Sequence, residues 1–317
     1  MNFFSYMRVE LNRIFNSRRV YLISLLTMIS PMVGYNLNGT MFKTIYAQTT
    51  SSDLIAKPCI TGSLAGGALF AMLTLIEFDR ARKHQIGTLM NSIVSPLVLN
   101  VVKLFAIGTV ALISVTITAL MYFPYVVMKM QYSFDAYTYL NSFFLLMLPS
   151  ILLSILAASA FYQIFYRMDL SMVAFITFAL LSSSMLFGFF NILCWINPPI
   201  PALSDDFSNT MVFRLMKYNR LFWFLMLGGV WMIALLCVRR YGKGIFGSFL
   251  HNSKKVYILL AAVVLISGGC YAYVNQPYID RTKFGYMFEM KEMPNNKQLE
   301  LSNTDLEISD VDLELNP

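Results

Sequence analysis

The densest group of ionisable side chains in this 317-residue sequence lies in the stretch Glu77–Pro96, which reads EFDRARKHQIGTLMNSIVSP. The acidic Glu77 precedes a basic cluster of four residues: Arg80, Arg82, Lys83 and His84. The apolar residues that follow recur at the spacing of one helical face, and they are Ile86, Leu89, Met90, Ile93 and Val94. This pattern predicts an amphipathic helix over residues 80–95 that lies on a membrane surface and ends before Pro96. Such a stretch either only sets the orientation of the protein in the membrane, as basic loops of multispan proteins do, or provides the binding site for a soluble partner.

Motifs for the common catalytic chemistries are missing from the sequence. There is no GxxxxGK[ST] loop to hold a nucleoside triphosphate, and no GxSxG elbow for a nucleophilic serine. The two histidines, His84 and His251, do not form an HExxH pair that could bind zinc. The four cysteines show no CxxC spacing and are expected to be ordinary apolar residues. We therefore expect no catalytic residue, no metal site and no cofactor bound directly.

The composition is that of an all-α polytopic membrane protein. The chain is 57% hydrophobic and 13% charged, whereas soluble domains are roughly 45–50% apolar and about 25% charged. The net charge of +7 comes from Lys and Arg residues that flank apolar runs. In a membrane protein such charges set the orientation in the bilayer, so they do not indicate a nucleic-acid partner.

Seven apolar segments are long enough to cross a bilayer. The predicted spans are Val20–Leu37, Pro58–Phe78, Val98–Met128, Tyr139–Phe165, Leu170–Trp195, Leu221–Val238 and Val256–Val274. Most of the 24 Lys and Arg residues then lie on the side of the N-terminus, which predicts a cytoplasmic N-terminus and a C-terminus outside. Arg220 is among the few basic residues that this topology assigns to an outer loop.

Several shorter features accompany the spans. Residues 2–16 predict an interfacial helix, with Phe4 and Ile14 on its apolar face and Arg13 on its polar face. The segment from Pro201 to Tyr218 predicts a surface-lying or re-entrant helix, because it is too polar to span the bilayer and too apolar to be a free loop.

The small and charged residues of the spans have expected roles as well. Gly62 and Gly66 form a GxxxG pattern, which favours close packing on a helix of the same or a second copy. Lys103 is expected to extend its amine toward the inner interface. No ionisable residue is expected at mid-depth of a span.

With this span layout, the stretch Glu77–Pro96 resembles the first cytoplasmic loop of ABC transporter permeases of the ABC-2 type. In that family the loop forms a coupling helix that docks on an ATPase. The resemblance covers residues 2–243 and implies an elbow helix at 1–19 and a six-span permease domain at 20–243. The coupling residues it implies are Glu77, Arg80, Arg82, Lys83, Gly87, Thr88, Leu89 and Pro96. A seventh span within 244–274 and an acidic extracytoplasmic tail, 275–317, depart from the six-span pattern.

The resemblance implies a permease subunit of an ATP-driven transporter, an exporter in a bacterial inner membrane. Such a subunit has no ATPase site of its own and uses ATP through a partner ABC ATPase, paired with an identical or a different second permease. One alternative is a non-transporting assembly or sensory subunit whose acidic tail binds an external partner. A membrane-embedded enzyme or a secondary carrier is disfavoured, because those proteins usually need ionisable residues at mid-depth.

Overall fold

The computed structural model describes residues 3–37, 49–83, 95–181, 195, 203–205, 208–238 and 244–274. Three predicted features therefore lie outside the described residues, in whole or in large part: the coupling stretch 84–94, the end of the fifth span and the tail 275–317.

Every regular element in this part of the chain is helical, so the protein has an all-α fold. The α-helices within the described ranges are α1 Phe3–Phe15, α2 Arg18–Leu37, α3 Lys57–Lys83, α4 Pro96–Met130, α5 Ala136–Asn141, α6 Leu148–Phe165, α7 Met168–Leu181, α8 Thr210–Leu236, α9 Ile245–Ser253 and α10 Val256–Val274. Two π-helical turns, Ser52–Ala56 and Ser142–Met147, run directly into α3 and α6, and a 3-10 turn, Gln131–Ser133, follows α4.

Five of the described segments are long and apolar enough to cross a membrane, which indicates a membrane-embedded protein. They are Ser52–Arg80, Pro96–Ser133, Ala136–Phe165, Val212–Leu236 and Val256–Val274. These five correspond to the second, third, fourth, sixth and seventh predicted spans. The first predicted span lies in α2 and the fifth begins in α7, a shorter apolar helix. The total of seven spans remains a prediction.

The helix α4 is longer than a bilayer requires. Its 35 residues correspond to about 52 Å at 1.5 Å per residue, compared with about 30 Å for the hydrocarbon core. The N-terminus of α4 is capped, because the Ser95 side chain accepts a hydrogen bond from the Val98 N–H. Pro96 occupies the first turn, where the N–H that proline lacks would have no partner within the helix. The helix continues through Pro124 to Met130 as one element.

The region before the sixth span differs from the prediction. A separate surface-lying or re-entrant helix up to Tyr218 was the expectation, but Thr210–Leu236 is one continuous helix, α8. Arg214 and Lys217 do not break the helix because they lie on its exposed side, whereas Phe213, Met216 and Arg220 are buried. The spacing of the three buried residues is that of a helical face that carries on into the span.

The centre of the bundle is α6. In the span Ala136–Phe165, 78% of the most apolar stretch is buried, compared with 22% for α10, Val256–Val274. The core around α6 contains side chains of α3, α4 and α8, among them Phe70, Ile107 and Trp223. Helix α10 packs mainly on α8 and exposes most of its apolar surface. Lipid-facing side chains account for such exposure in a membrane protein.

Candidate functional site

Five of the eight predicted coupling residues lie in described parts of the chain, on either side of residues 84–94. Glu77, Arg80, Arg82 and Lys83 occupy the last two turns of α3, and Pro96 begins α4. The other three, Gly87, Thr88 and Leu89, lie outside the described residues. The described part of the site is therefore the base of the hairpin, which consists of the end of α3 and the start of α4.

Glu77 is a buried carboxylate at this base. It is only 1% exposed, and its Oε2 accepts a hydrogen bond of 2.7 Å from Nη2 of Arg13. The same guanidinium donates to both carboxylate oxygens of Glu10, at 3.0 and 2.6 Å. Arg13 thus joins α1 to α3 through Glu77, and it also pairs with Glu10 of its own helix. Arg13, predicted on the polar face of α1, is partly exposed but directs its guanidinium to the buried Glu77, because burying a carboxylate without a cation would cost several kcal/mol.

Lys103 supplies a second cation from α4. It is 4% exposed, its Nζ donates to the backbone oxygen of Glu77 at 3.2 Å, and Nζ lies 5.6 Å from the ring centre of Phe78. The amine is held inside the helix junction and does not extend to water. The expectation that Lys103 extends its amine toward the inner interface was therefore wrong.

The charges in this group stabilise one another. Burial alone would lower the pKa of Arg13, but its hydrogen bond to Glu10 and the charges of Glu10 and Glu77 raise that pKa above the usual arginine value. Burial, and then the negative charge of Glu10, raise the pKa of Tyr6 in the same helix to about 12. Arg13 therefore stays cationic and Tyr6 stays neutral at any physiological pH. We call Glu10, Arg13, Glu77 and Lys103 the inner ion cluster.

A second set of contacts joins the end of α3 to the end of α6. Nη1 of Arg82 donates to the backbone oxygen of Tyr166 at 2.7 Å and lies 3.7 Å from Oδ1 of Asp79. The Tyr162 hydroxyl donates to the same Asp79 oxygen at 2.9 Å. Tyr166 adopts a left-handed conformation, φ 53°, and ends α6. A cation at this position stabilises the partial negative charge of a helix C-terminus.

The predicted packing glycines, Gly62 and Gly66, contact helices of the same chain. A Cβ added at Gly62 would lie 3.0 Å from the Cε atom of Met147, and one at Gly66 would lie 2.8 Å from Cδ1 of Ile151 and 3.1 Å from Cγ2 of Thr27. The small side of α3 therefore allows close approach of α2 and of the segment that leads into α6.

Sequence reasoning missed a buried cation in the sixth span. Arg220 was assigned to an outer loop, but it lies two turns into the apolar segment Val212–Leu236 and is 3% exposed. Its guanidinium donates to the backbone oxygens of Leu145, Leu146 and Trp195 and to Oγ of Ser150. The assignment of Arg220 to an outer loop was therefore wrong.

The signal that could have found Arg220 is its spacing from Phe213 and Met216, which continues one helical face. Glu10 likewise falls one turn from each of two buried residues, Tyr6 and Ile14. An apolar face interrupted by a single charged residue is a sign that the charge has a buried partner.

These arrangements hold helices together at the ends of α3 and α6. Among the described residues, no group of three His, Cys, Asp or Glu side chains is placed to bind a metal ion. Three charged side chains, Arg13, Lys103 and Arg82, connect the end of α3 to α1, α4 and α6.

Comparison of the chain with protein-family models, with curated proteins and with solved structures gave no match.

Proposed function

We propose that this chain is the membrane permease subunit of an ATP-driven ABC transporter of the ABC-2 type, working as an exporter. The partner is a separate cytoplasmic ATPase that docks on the hairpin between α3 and α4, and a second permease, identical or different, completes the complex. The chain itself supplies no ATPase site, since its sequence has no phosphate-binding loop.

The observation that carries the proposal is the inner ion cluster at the base of this hairpin. A loop that only set orientation in the membrane would need exposed basic residues and no buried partners. Here the last turns of α3 are fixed to α1 by Arg13 and to α4 by Lys103. A displacement of the hairpin by a bound ATPase would therefore move three helices together rather than bend one loop.

The second link extends this movement to the centre of the bundle. Arg82 holds the C-terminus of α6, and α6 is the most buried span. In the proposed cycle, ATP binding closes the ATPase pair, the hairpin moves, and α3 carries α6 with it. The spans then alternate between inward-facing and outward-facing arrangements.

Co-purification tests the proposal. A tagged full-length chain is extracted from its native membrane in mild detergent, and the preparation is assayed for vanadate-sensitive ATP hydrolysis. Mass spectrometry then looks for a polypeptide with a GxxxxGK[ST] motif. We expect such an ATPase in near-stoichiometric amount; a preparation without one would contradict the proposal.

A pair of charge reversals locates the contact. Lys83 and Lys254 are both exposed lysines assigned to the inner side of the membrane, but only Lys83 belongs to the hairpin. Lys83→Glu should reduce the amount of ATPase recovered, and Lys254→Glu should not. Lys83 is preferred to Arg82 here, because reversal at Arg82 would also disturb its bond to Tyr166.

A further inference from the structure

A polar cavity opens where the α1–α2 junction meets the end of α3. Its volume is about 210 Å³, and it is lined by Ser17, Arg19, Glu77 and Arg80. Since a buried water needs only some 10–15 Å³ of such space, the cavity is large enough for a small polar group together with several waters.

The wall of the cavity carries more positive than negative charge. Arg19 is exposed and forms no hydrogen bond or ion pair with any residue that the structure describes. Arg80 lies 3.9 Å from Oε2 of Glu77, a loose contact, and its side chain is 45% exposed. The Glu77 carboxylate is already bonded by Arg13 at 2.7 Å. Two guanidinium groups are thus left to bind an anion.

A buried donor in the same group of residues also lacks an acceptor. Nη2 and Nε of Arg13 bond the carboxylates of Glu10 and Glu77, but Nη1 is buried with no acceptor among the described residues. An unpaired buried N–H is unfavourable. The cavity and this donor belong to one positively charged region, because Glu77, which Arg13 bonds, lines the cavity.

An apolar surface begins immediately beside the cavity. Tyr21, Leu22 and Leu25 of α2 follow directly after Arg19, and they are 63%, 61% and 56% exposed. A charged recess next to an exposed apolar helix matches a molecule with an anionic head and hydrocarbon tails. It does not match a free inorganic anion, which would gain nothing from the α2 surface.

We propose that this cavity binds the headgroup phosphate of an anionic phospholipid, with the acyl chains along the exposed face of α2. Arg19 and Arg80 donate to the phosphate oxygens in charge-assisted hydrogen bonds. Basic recesses between membrane helices at the cytoplasmic surface are suited to such headgroups. The inference rests on the predicted first span, Val20–Leu37, which lies in α2, and does not depend on transport or on an ATPase.

Native mass spectrometry of the purified full-length chain tests this, with dioleoyl phosphatidylglycerol and dioleoyl phosphatidylcholine as probes. The wild-type chain should retain phosphatidylglycerol more tightly than phosphatidylcholine. The variant Arg19→Gln/Arg80→Gln should lose roughly fivefold in phosphatidylglycerol affinity for each charge removed, about thirtyfold in all. The control Arg8→Gln removes an exposed charge of α1 outside the cavity lining and should leave the affinity within about twofold.

Three results would overturn the proposal. Equal retention of the two lipids would show that charge is not recognised. A loss for Arg8→Gln as large as that for the cavity variant would indicate a diffuse surface effect. Competition by millimolar inorganic phosphate, equal to that by the lipid, would make the site one for a free anion. The charge-preserving variant Arg19→Lys/Arg80→Lys should keep most of the binding, which separates loss of charge from loss of folding.

Discussion

Arg220 is the least expected residue of the bundle, since a cation inside an apolar span is costly unless its donors are satisfied. Its acceptors are backbone oxygens of the π-helical turn Ser142–Met147 and of Trp195, together with the Ser150 hydroxyl. A π-helical turn shifts the regular helical hydrogen-bond pattern, and such turns are frequent at functional sites. Arg220 thus links the start of α6 to α8. It supplies hydrogen-bond donors to carbonyl oxygens of the π-helical turn.

Replacing this cation should destabilise the protein. Arg220→Gln removes most of the donors to buried carbonyl oxygens, and we expect a loss of about 1–3 kcal/mol in the free energy of unfolding. Arg214→Gln and Lys217→Gln, on the exposed side of the same helix, should change it by no more than about 0.5 kcal/mol. Thermal unfolding in detergent measures both; equal melting temperatures for Arg220→Gln and the controls would refute the role given to Arg220.

Asp205 joins two segments that the topology assigns to the outer side. Its carboxylate oxygens accept the backbone N–H groups of Thr50 and Ser51, each at 2.8 Å, and Leu203 N–H donates to Oγ of Ser52 at 2.9 Å. Slight burial acts to raise the pKa of Asp205, but the hydrogen bonds from Ser51 and Thr50 outweigh it and lower that pKa below the usual value.

A lowered carboxyl pKa means that this contact stabilises the fold above the unfolded-state pKa of about 3.9 and is lost as the pH falls through the lower folded-state pKa. Stability should therefore be flat between pH 7 and about 5 and decline below about 4. Asp205→Asn should lower stability at pH 7 by on the order of 1 kcal/mol and weaken the acid decline. The exposed Asp169→Asn should do neither, and an unchanged acid profile for Asp205→Asn would argue against the contact.

Whether the burial of a charged residue could be predicted from the sequence depended on how far away along the chain its partners lie. The sequence identified Glu77, Arg80, Arg82 and Lys83 as a charged group, because that group is dense along the chain. It did not show that Glu77 is buried, since its partner Arg13 lies 64 residues away. The sequence placed Arg220 in an outer loop for the same reason. Most of its acceptors are backbone oxygens of residues far away along the chain, and backbone oxygens cannot be recognised from residue types.

At the scale of whole helices, patterns within one segment were more informative. Apolar length correctly predicted the positions of α4, α10 and the continuous segment Ala136–Phe165 to within a few residues. The helix that contains the second span extends further than predicted at both ends, from the π-helical turn at Ser52 to Lys83. The failure was the segment before the sixth span, where the polar residues of α8 were taken as the end of a separate element. Helix packing decided that case, because one side of α8 is buried and the other carries the exposed Arg214 and Lys217.

The packing of α10 on α8 gives a matched test at two adjacent glycines. A Cβ added at Gly229 would lie 2.5 Å from Cγ1 of Ile266 and 3.2 Å from the backbone oxygen of Ala262, whereas one at Gly228 would meet only Leu265, at 3.6 Å. Gly229→Ala should therefore force the two helices apart and cost about 1–3 kcal/mol. Gly228→Ala should be neutral or stabilising by up to about 1 kcal/mol, because alanine favours the helix.

Thermal unfolding of the two variants distinguishes these effects. Similar melting temperatures would mean that α10 does not pack closely on α8, and the seventh span would then be a loosely attached addition to the bundle. A clear difference would establish it as an integral part.

For the whole molecule, the proposal requires the α3–α4 hairpin to lie on the cytoplasmic side. Lys83 ends α3 and the exposed Lys129 lies near the other end of α4, so the two should be on opposite sides of the membrane. With the four native cysteines replaced by alanine, Lys129→Cys should react with a membrane-impermeant maleimide in intact cells. Lys83→Cys should react only after permeabilisation; labelling of Lys83→Cys in intact cells would place the hairpin outside and exclude an ATPase contact there.

The inner ion cluster suggests how one part of the molecule acts on another. Arg13 lies in the cluster and Arg8 lies on the exposed side of the same helix. Neither belongs to the hairpin, so substitution at either should leave the ATPase bound. Only the loss of Arg13 should disconnect α1 from the end of α3.

The most direct test of the account is the rate of ATP hydrolysis by the co-purified complex in proteoliposomes, compared for the wild type, Arg13→Gln and Arg8→Gln. We predict that Arg13→Gln retains the ATPase but lowers its stimulation by the permease at least about fivefold, the lower end of typical coupling energies. Arg8→Gln should match the wild type. Undiminished stimulation in Arg13→Gln, with the same amount of ATPase bound, would contradict the claim that this cluster transmits the movement.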